Sequence, residues 1–132
     1  DAPSPHGGTL LDDPVFQRDL GELEAEIASH AAFEKLVISR HPMTADPSLP
    51  SVNKVISSEL AQRVSVMMTR VAGVEGIPLQ HAALEVGSGV EPLGSDLDLV
   101  AMPYYLNSRA TTIYAGTNEV QRDLISRVLP AA

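Results

Sequence analysis

Apolar side chains recur every three or four residues along two long stretches of the chain. The first stretch begins at Pro14, behind the capping candidates Asp12 and Asp13, and ends at His41-Pro42. Its apolar positions are Phe16, Leu20, Leu23, Ile27, Ala31, Leu36 and Val37. This spacing predicts an amphipathic helix, and the glutamates between residues 22 and 26 mostly lie on its solvent-facing side.

The second stretch predicts another long helix, capped by Ser51 and ended by Gly73. Its apolar positions are Val52, Ile56, Leu60, Val64, Met67 and Val71. Residues 42–50 contain three prolines and are predicted to connect the two helices. We therefore expect the two long helices to lie antiparallel to each other.

Two shorter helices are expected toward the end of the chain. One opens at Ser95-Asp96-Leu97-Asp98 and is either kinked or restarted by Pro103. The apolar positions of the other are Val120, Leu124, Ile125 and Val128, before Pro130. Residues 78–95 are rich in Pro, Gly and Ser and are predicted to form a loop. No strand-like alternation lasts long enough to count, so the predicted fold is an all-α, up-and-down helical bundle.

Composition narrows the possible partners of the chain. The 132 residues carry a net charge of −8, which argues against nucleic acids and anionic membranes, because both are bound through positive charge. The absence of cysteine excludes disulfides and thiolate metal sites, and the four histidines are too scattered for a helical metal pair. No membrane span or signal peptide is evident, so a cytoplasmic setting is expected.

The run Tyr114-Ala115-Gly116-Thr117-Asn118-Glu119-Val120-Gln121-Arg122 links the two short helices. Gly116 tolerates unusual dihedrals and lets a ligand approach the backbone. Either Thr117 or Asn118 can cap the last helix, and Asn118 with Gln121 has the spacing of a capping box. Taken alone, the run is equally consistent with an ordinary turn between helices.

This run resembles the C-terminal signature of the acyl-CoA dehydrogenases, Tyr-x-Gly-Thr-Ser/Asn-Glu/Gln-x-Gln-Arg. The likeness extends more loosely back to about Leu11, with a gap at residues 78–102, where this chain is longer. It implies a bundle that lacks the family's first helix, with residues 1–12 as a linker or flexible start and residues 13–132 as the helical domain. Because the chain starts at Asp1 without Met, we expect it to be a fragment or processed piece of a longer protein.

Ala115 departs from the family at an important position. Many members carry there the Glu that removes the α-proton of the acyl thioester, and alanine has no proton acceptor. No catalytic residue is therefore expected in this chain. The resemblance places the base on an earlier helix outside the chain or on a partner subunit. The backbone N–H of Ala115 can still donate to the thioester carbonyl, as it does in the family.

The resemblance also implies which residues bind substrate and cofactor. Tyr114, Ala115 and Gly116 align with the thioester contact, Tyr114 being either a wall of the acyl pocket or a core aromatic. Thr117 and Glu119 align with contacts to a flavin nucleotide across a subunit boundary. Glu119 has a structural alternative, in which it favours the positive end of its helix.

A second nucleotide contact is implied at the end of the second long helix. Residues 70–77 resemble the family's Gln-x-x-Gly-Gly-x-Gly turn, in which Gly73 matches and Arg70 replaces the Gln. The Arg70 guanidinium can donate two hydrogen bonds to a pyrophosphate, or Arg70 can be an ordinary arginine at a helix end. The sequence favours neither interpretation over the other. No metal ligand is expected.

The resemblance implies the C-terminal domain of an FAD-dependent acyl-CoA dehydrogenase, an oxidoreductase of fatty acid or lipid metabolism. Its partners would be an acyl-CoA substrate, an electron-transfer flavoprotein, and other subunits in a homo- or hetero-oligomeric dimer or tetramer. The chain alone is expected to bind no FAD and to be inactive, because most of the flavin pocket lies elsewhere. The alternative, which Ala115 supports, is a non-catalytic subunit or assembly module.

Overall fold

The computed structural model describes residues 7–39 and 46–128. The helices are α1 (Pro14–Ile38), α2 (Leu49–Ala72), α3 (His81–Leu84), α4 (Asp96–Ser108) and α5 (Asn118–Val128). Short 3-10 turns occupy Leu10–Asp12, Gly73–Gly76 and Arg109–Thr112. No β-strand occurs in these two ranges, and the all-α prediction is confirmed. None of the helices within them combines the length and apolar character needed to cross a membrane.

The two long helices are antiparallel, as their cross-helix contacts show. Near the end of α2, Arg70 Nη1 lies 2.8 Å from Asp19 Oδ2 near the start of α1. Near the start of α2, Asn53 Oδ1 lies 2.8 Å from His30 Nε2, further along α1. Residue numbers thus rise on one helix as they fall on the other, and the predicted arrangement is confirmed.

The start of α1 follows its sequence signals, whereas that of α2 does not. The Asp13 carboxylate accepts the backbone N–H of Val15 at 2.9 Å and caps α1 in front of Pro14. Helix α2 begins three residues earlier than predicted, at Leu49, so Ser51 is not its cap but a buried residue of its first turn. The predicted connector over residues 42–50 therefore gives up Leu49 and Pro50 to α2, and the predicted end of α1 at His41-Pro42 lies outside the described residues.

The region before and within α4 confirms the predicted helix start, removes one of two alternatives at Pro103 and corrects the predicted loop. Ser95 donates its backbone N–H at 2.6 Å and its hydroxyl at 2.8 Å to Asp98 Oδ2, forming a capping box. These bonds, the backbone one first, hold the pKa of the Asp98 carboxyl below its usual value. Helix α4 runs through Pro103 without restarting, and residues 78–95, predicted as loop, include the single turn α3.

The last residues of the expected linker at the start of the chain, Leu10–Asp12, form a 3-10 turn.

The interior of the bundle is unusually polar. Among the described residues the buried apolar ones are Phe16, Leu23 and Ala101, whereas Ser48, Ser51, Ser58, Ser65, Asp98, Ser108 and Asn118 are buried polar ones. Three of these serines recur every seventh residue along α2; among them, Ser58 bonds to α5 and Ser65 to α4. The apolar positions predicted to form the buried face of α2 are half-buried or exposed instead. Small side chains let two helices approach each other closely. This explains why α2 buries its serine-bearing face and not its apolar face.

Large apolar side chains stay exposed on several helices. The stripe of α1 is buried at its start but open at Ile27, which is 42% exposed. On α5, Val120, Leu124 and Val128 line one exposed face at four-residue spacing. Part of the apolar surface of the described helices is therefore left uncovered within this chain.

Candidate functional site

The signature lies on a loop with a backbone conformation that few residues adopt. After the 3-10 turn Arg109–Thr112, the chain passes through Ala115 at φ +57° and Gly116 at φ +85° before α5 begins. Left-handed φ is costly for any residue with a Cβ and free for glycine. A Cβ at residue 116 would also lie 2.6 Å from Gln121 Nε2. Gly116 is thus required here both for its dihedrals and for its lack of a side chain.

The loop presents backbone donors to its surroundings. Ala115 and Gly116 are exposed, and the Tyr114 side chain is 54% exposed. Within the described ranges, the backbone N–H groups of Ala115 and Gly116 donate to no protein acceptor. A cavity of about 400 Å³ opens beside them. It is lined by Pro50, Asn53, Lys54, Ser57, Ser58, Ala61, Thr111, Tyr114 and Ala115. Of the three residues predicted to bind substrate, Tyr114 and Ala115 line this cavity and Gly116 follows them in the chain.

Thr117 and Glu119 lie together at the start of α5. Thr117 is the N-cap: its Oγ1 accepts the N–H of Val120 at 3.3 Å, and its carbonyl accepts that of Gln121 at 3.0 Å. The alternative cap at Asn118 is wrong, because Asn118 is the first helical residue. The pKa of the Glu119 carboxyl is lowered by its own backbone N–H and then by the Thr117 hydroxyl. These contacts support the structural reading of Glu119 and leave its nucleotide contact a prediction.

Arg70 and Gly73 lie at the opposite end of α2 from the signature loop. Gly73 ends the helix at φ +62°, as predicted, and a Cβ there would meet nothing within 4 Å. The Arg70 guanidinium pairs with Asp19 and lies 5.2 Å above the Phe16 ring. Along the helix, Gly73 is about 22 Å from Ser58, at about 1.5 Å per residue. The structure therefore does not bring Arg70 and Gly73 together with Thr117 and Glu119.

One turn of α2 anchors both ends of the signature loop, and sequence reasoning missed it. Thr111 Oγ1, before the loop, donates to the Ser58 carbonyl at 3.2 Å. Asn118, after the loop, accepts from Ser58 Oγ at 3.0 Å and from Lys54 Nζ at 2.6 Å. The available signal was the seven-residue spacing of small residues on α2, whereas nothing in the sequence pattern singles out Lys54.

A second buried polar cluster fixes the turn that leads into the loop. Ser108 Oγ donates to Ser65 Oγ at 2.8 Å, and Arg109 Nη2 donates to the same oxygen at 2.9 Å. Arg109 Nη2 also lies 3.2 Å from the carbonyl of Gln62, and its guanidinium carbon lies 4.5 Å from the centre of the Tyr105 ring. The turn that leads into the loop is therefore bonded to α2, as the residue that follows the loop is. In the two described ranges, no three His, Asp or Glu side chains are grouped to hold a metal ion.

We expect Ala115→Gly to stabilise the chain by about 1 kcal/mol, because it relieves a left-handed residue of its Cβ contacts. The midpoint of urea unfolding, followed by helical circular dichroism, checks this. Ala28→Gly is the matched control: Ala28 is exposed within α1, where the same substitution should destabilise by about 1 kcal/mol. A loss of stability in both variants would contradict the strain at residue 115.

The chain matches one family model over nearly its whole length. The model is that of the acyl-CoA dehydrogenase, C-terminal domain, and the match covers residues 4–129. No curated protein and no solved structure matches the chain.

Proposed function

Because the chain belongs to the acyl-CoA dehydrogenase family as its C-terminal domain, we propose that it is the helical bundle of an FAD-dependent enzyme that dehydrogenates acyl-CoA thioesters between Cα and Cβ. One observation carries the proposal. The signature loop exposes two neighbouring backbone N–H groups, at Ala115 and Gly116, and Ala115 lines a cavity of about 400 Å³.

These two N–H groups suit the charge that develops during the reaction. Removal of the α-proton by a base leaves negative charge on the thioester oxygen, and fixed donors stabilise that charge as an oxyanion hole does. The donors are fixed because both ends of the loop are bonded to α2. Gly116 has no side chain to keep the thioester away, and the Tyr114 ring offers an apolar wall to the acyl chain.

FAD, when bound, supplies the acceptor for the hydrogen that leaves Cβ as hydride. The start of α5 fits a nucleotide, because Thr117 carries a hydroxyl and the helix N-terminus favours a phosphate. The Glu119 carboxylate suits a ribose hydroxyl better than a phosphate. Gly73 leaves room for a ligand, whereas Arg70 would have to share its guanidinium with Asp19. The fit is therefore better at Thr117 and Glu119 than at Arg70.

The exposed apolar faces support assembly with further subunits. The α5 face of Val120, Leu124 and Val128 is 43–50% exposed, as expected of a surface that a neighbour covers. A dimer or tetramer, homo- or hetero-oligomeric, is part of the proposal. An electron-transfer flavoprotein is proposed as the acceptor of the electrons.

The test is anaerobic addition of acyl-CoA esters of graded chain length to the flavin-loaded protein that carries this domain. We expect loss of the visible flavin absorption band and formation of the enoyl-CoA, identified by mass spectrometry. Flavin that no acyl-CoA reduces, in protein that an artificial reductant does reduce, would overturn the proposal.

The second candidate function, a non-catalytic subunit, is favoured by Ala115, which lacks a proton acceptor. The variant Ala115→Glu separates the two functions in the same holoenzyme. If the base lies elsewhere in the enzyme, we expect no gain in kcat/KM. A general base contributes about 10²- to 10⁴-fold, so a gain of about hundredfold would favour the subunit without a base. Ala115→Gln is the control for side-chain size.

A further inference from the structure

We propose that Lys54 is a positioning residue, which sets the geometry of the loop Tyr114–Thr117 through Asn118. For its effect on catalysis this inference rests on the proposed function, whereas its effect on the loop does not. Lys54 lies on α2, 64 residues before Asn118 in the sequence. The family signature begins well after it.

The contact fixes the orientation of a buried amide. Asn118 is 2% exposed, and its Oδ1 accepts both Lys54 Nζ at 2.6 Å and Ser58 Oγ at 3.0 Å. Ser58 Oγ also lies 2.9 Å from the Val55 carbonyl, so its single proton is shared between two acceptors, whereas the Lys54 ammonium donates to Asn118 with a proton of its own. The amide nitrogen then faces Glu59, whose Oε1 lies 3.5 Å from Nδ2. A buried amide held on both sides cannot turn without leaving a polar group unsatisfied.

Among the described residues, Lys54 makes no second close contact with a charged group; its charge adds only the last contribution to the lowered pKa of the Glu119 carboxyl, after that group's own backbone N–H, the Thr117 hydroxyl and Arg122. No carboxylate in these ranges lies within 4.0 Å of its ammonium, whereas the neighbouring Glu59 pairs with Arg122. The Asn118 oxygen is thus the hydrogen-bond acceptor of the half-buried ammonium. A bond from a charged donor is stronger than one from the Ser58 hydroxyl. Lys54 therefore contributes more than Ser58 to holding Asn118 in place.

Asn118 transmits this constraint to the loop because it starts α5 directly after Thr117. The other end of the loop is held at Thr111, which donates to the Ser58 carbonyl at 3.2 Å. Only residues 112–117 lie between the two anchors. Loosening one anchor lets Ala115 relax from its left-handed conformation and displaces its N–H. Lys54 thereby controls the placement of the proposed thioester donors while not being one of them.

The chain has two lysines, which makes a matched experiment possible. In the flavin-loaded protein, Lys54→Met removes the donor, Lys54→Arg keeps one, and Lys35→Met alters the exposed lysine of α1. We expect Lys54→Met to speed hydrogen exchange about tenfold at the bonded amides that flank the loop, those of Tyr114, Val120 and Gln121, and to lower kcat about tenfold with flavin content unchanged. Lys54→Arg should keep the exchange rate and kcat close to those of the unsubstituted protein. Lys35→Met should change neither the exchange rate nor kcat.

Three outcomes would overturn the inference. One is exchange of the Tyr114, Val120 and Gln121 amides that stays within about twofold of the unsubstituted protein. Another is faster exchange spread equally over α1, α2 and α4, which indicates general destabilisation. The third is local loosening with an unchanged kcat. A protein whose flavin no acyl-CoA reduces refutes the proposed function instead, and exchange alone then decides whether Lys54 holds the loop.

Discussion

Replacing Ser65 by leucine is expected to lower the free energy of unfolding by about 3 kcal/mol or more, the largest stability loss of any substitution considered for this chain. Ser65 is fully buried where α2 meets α4, and small residues set the distance between these helices. A leucine there overpacks the contact, which costs about 1–3 kcal/mol. It also removes the oxygen that accepts from Ser108 and Arg109, at about 1–3 kcal/mol more.

Urea unfolding followed by far-ultraviolet circular dichroism measures this loss. Ser29→Leu is the matched control, because Ser29 is exposed on α1 and bonds to a carbonyl of its own helix. Ser65→Ala adds a second comparison, since it removes the hydroxyl without adding volume, and it should cost about 1 kcal/mol. A Ser65→Leu variant within 1 kcal/mol of the unsubstituted chain would contradict the close packing described for α2 and α4.

The variant Gly116→Val is expected to lower kcat/KM of the flavin-loaded protein by about hundredfold or more. A β-branched residue is a genuine outlier at φ +85°, so the loop would change its path and move its N–H donors. The new side chain would also meet Gln121 and occupy space close to the proposed thioester position. Loss of one oxyanion donor alone costs about 10²- to 10³-fold in other enzymes.

A second glycine separates backbone strain from the effect on the site. Gly87 has a similar φ of +80° in the exposed segment after α3, and a Cβ there would meet nothing within 4 Å. Gly87→Val should therefore cost comparable stability and leave kcat/KM unchanged. If Gly116→Val retains more than about a tenth of kcat/KM, the N–H donors of this loop do not contribute as proposed.

Local signals predicted where helices begin and end better than which of their faces is buried. Asp13 caps α1, Ser95 with Asp98 caps α4, and Gly73 ends α2, because each depends on bonds within a few residues. The buried face of α2 was misread because periodicity counts apolar side chains. Close contact with α4 and α5 requires the smallest side chains instead. Ser51, which was predicted to cap α2, is one of the buried serines on this face.

The part of the candidate site that is formed by consecutive residues was predictable from the sequence. Tyr114, Ala115 and Gly116 lie together because they are neighbours in the chain. The distance of Arg70 and Gly73 from the signature, and the role of Lys54, depend on which turn of α2 meets which loop. That pairing is set by tertiary contacts between residues about 60 positions apart, for which the sequence gives no local sign.

The polar interior has a consequence for the calorimetry of this chain. The heat-capacity increment of unfolding grows with the apolar surface newly hydrated and shrinks with the polar surface. With serines and an asparagine in the interior and apolar side chains outside, little additional hydrocarbon meets water when the isolated chain melts. Its melting should be broad and its stability curve shallow. In an assembly that covers the outer faces, most of the heat-capacity change would accompany subunit separation.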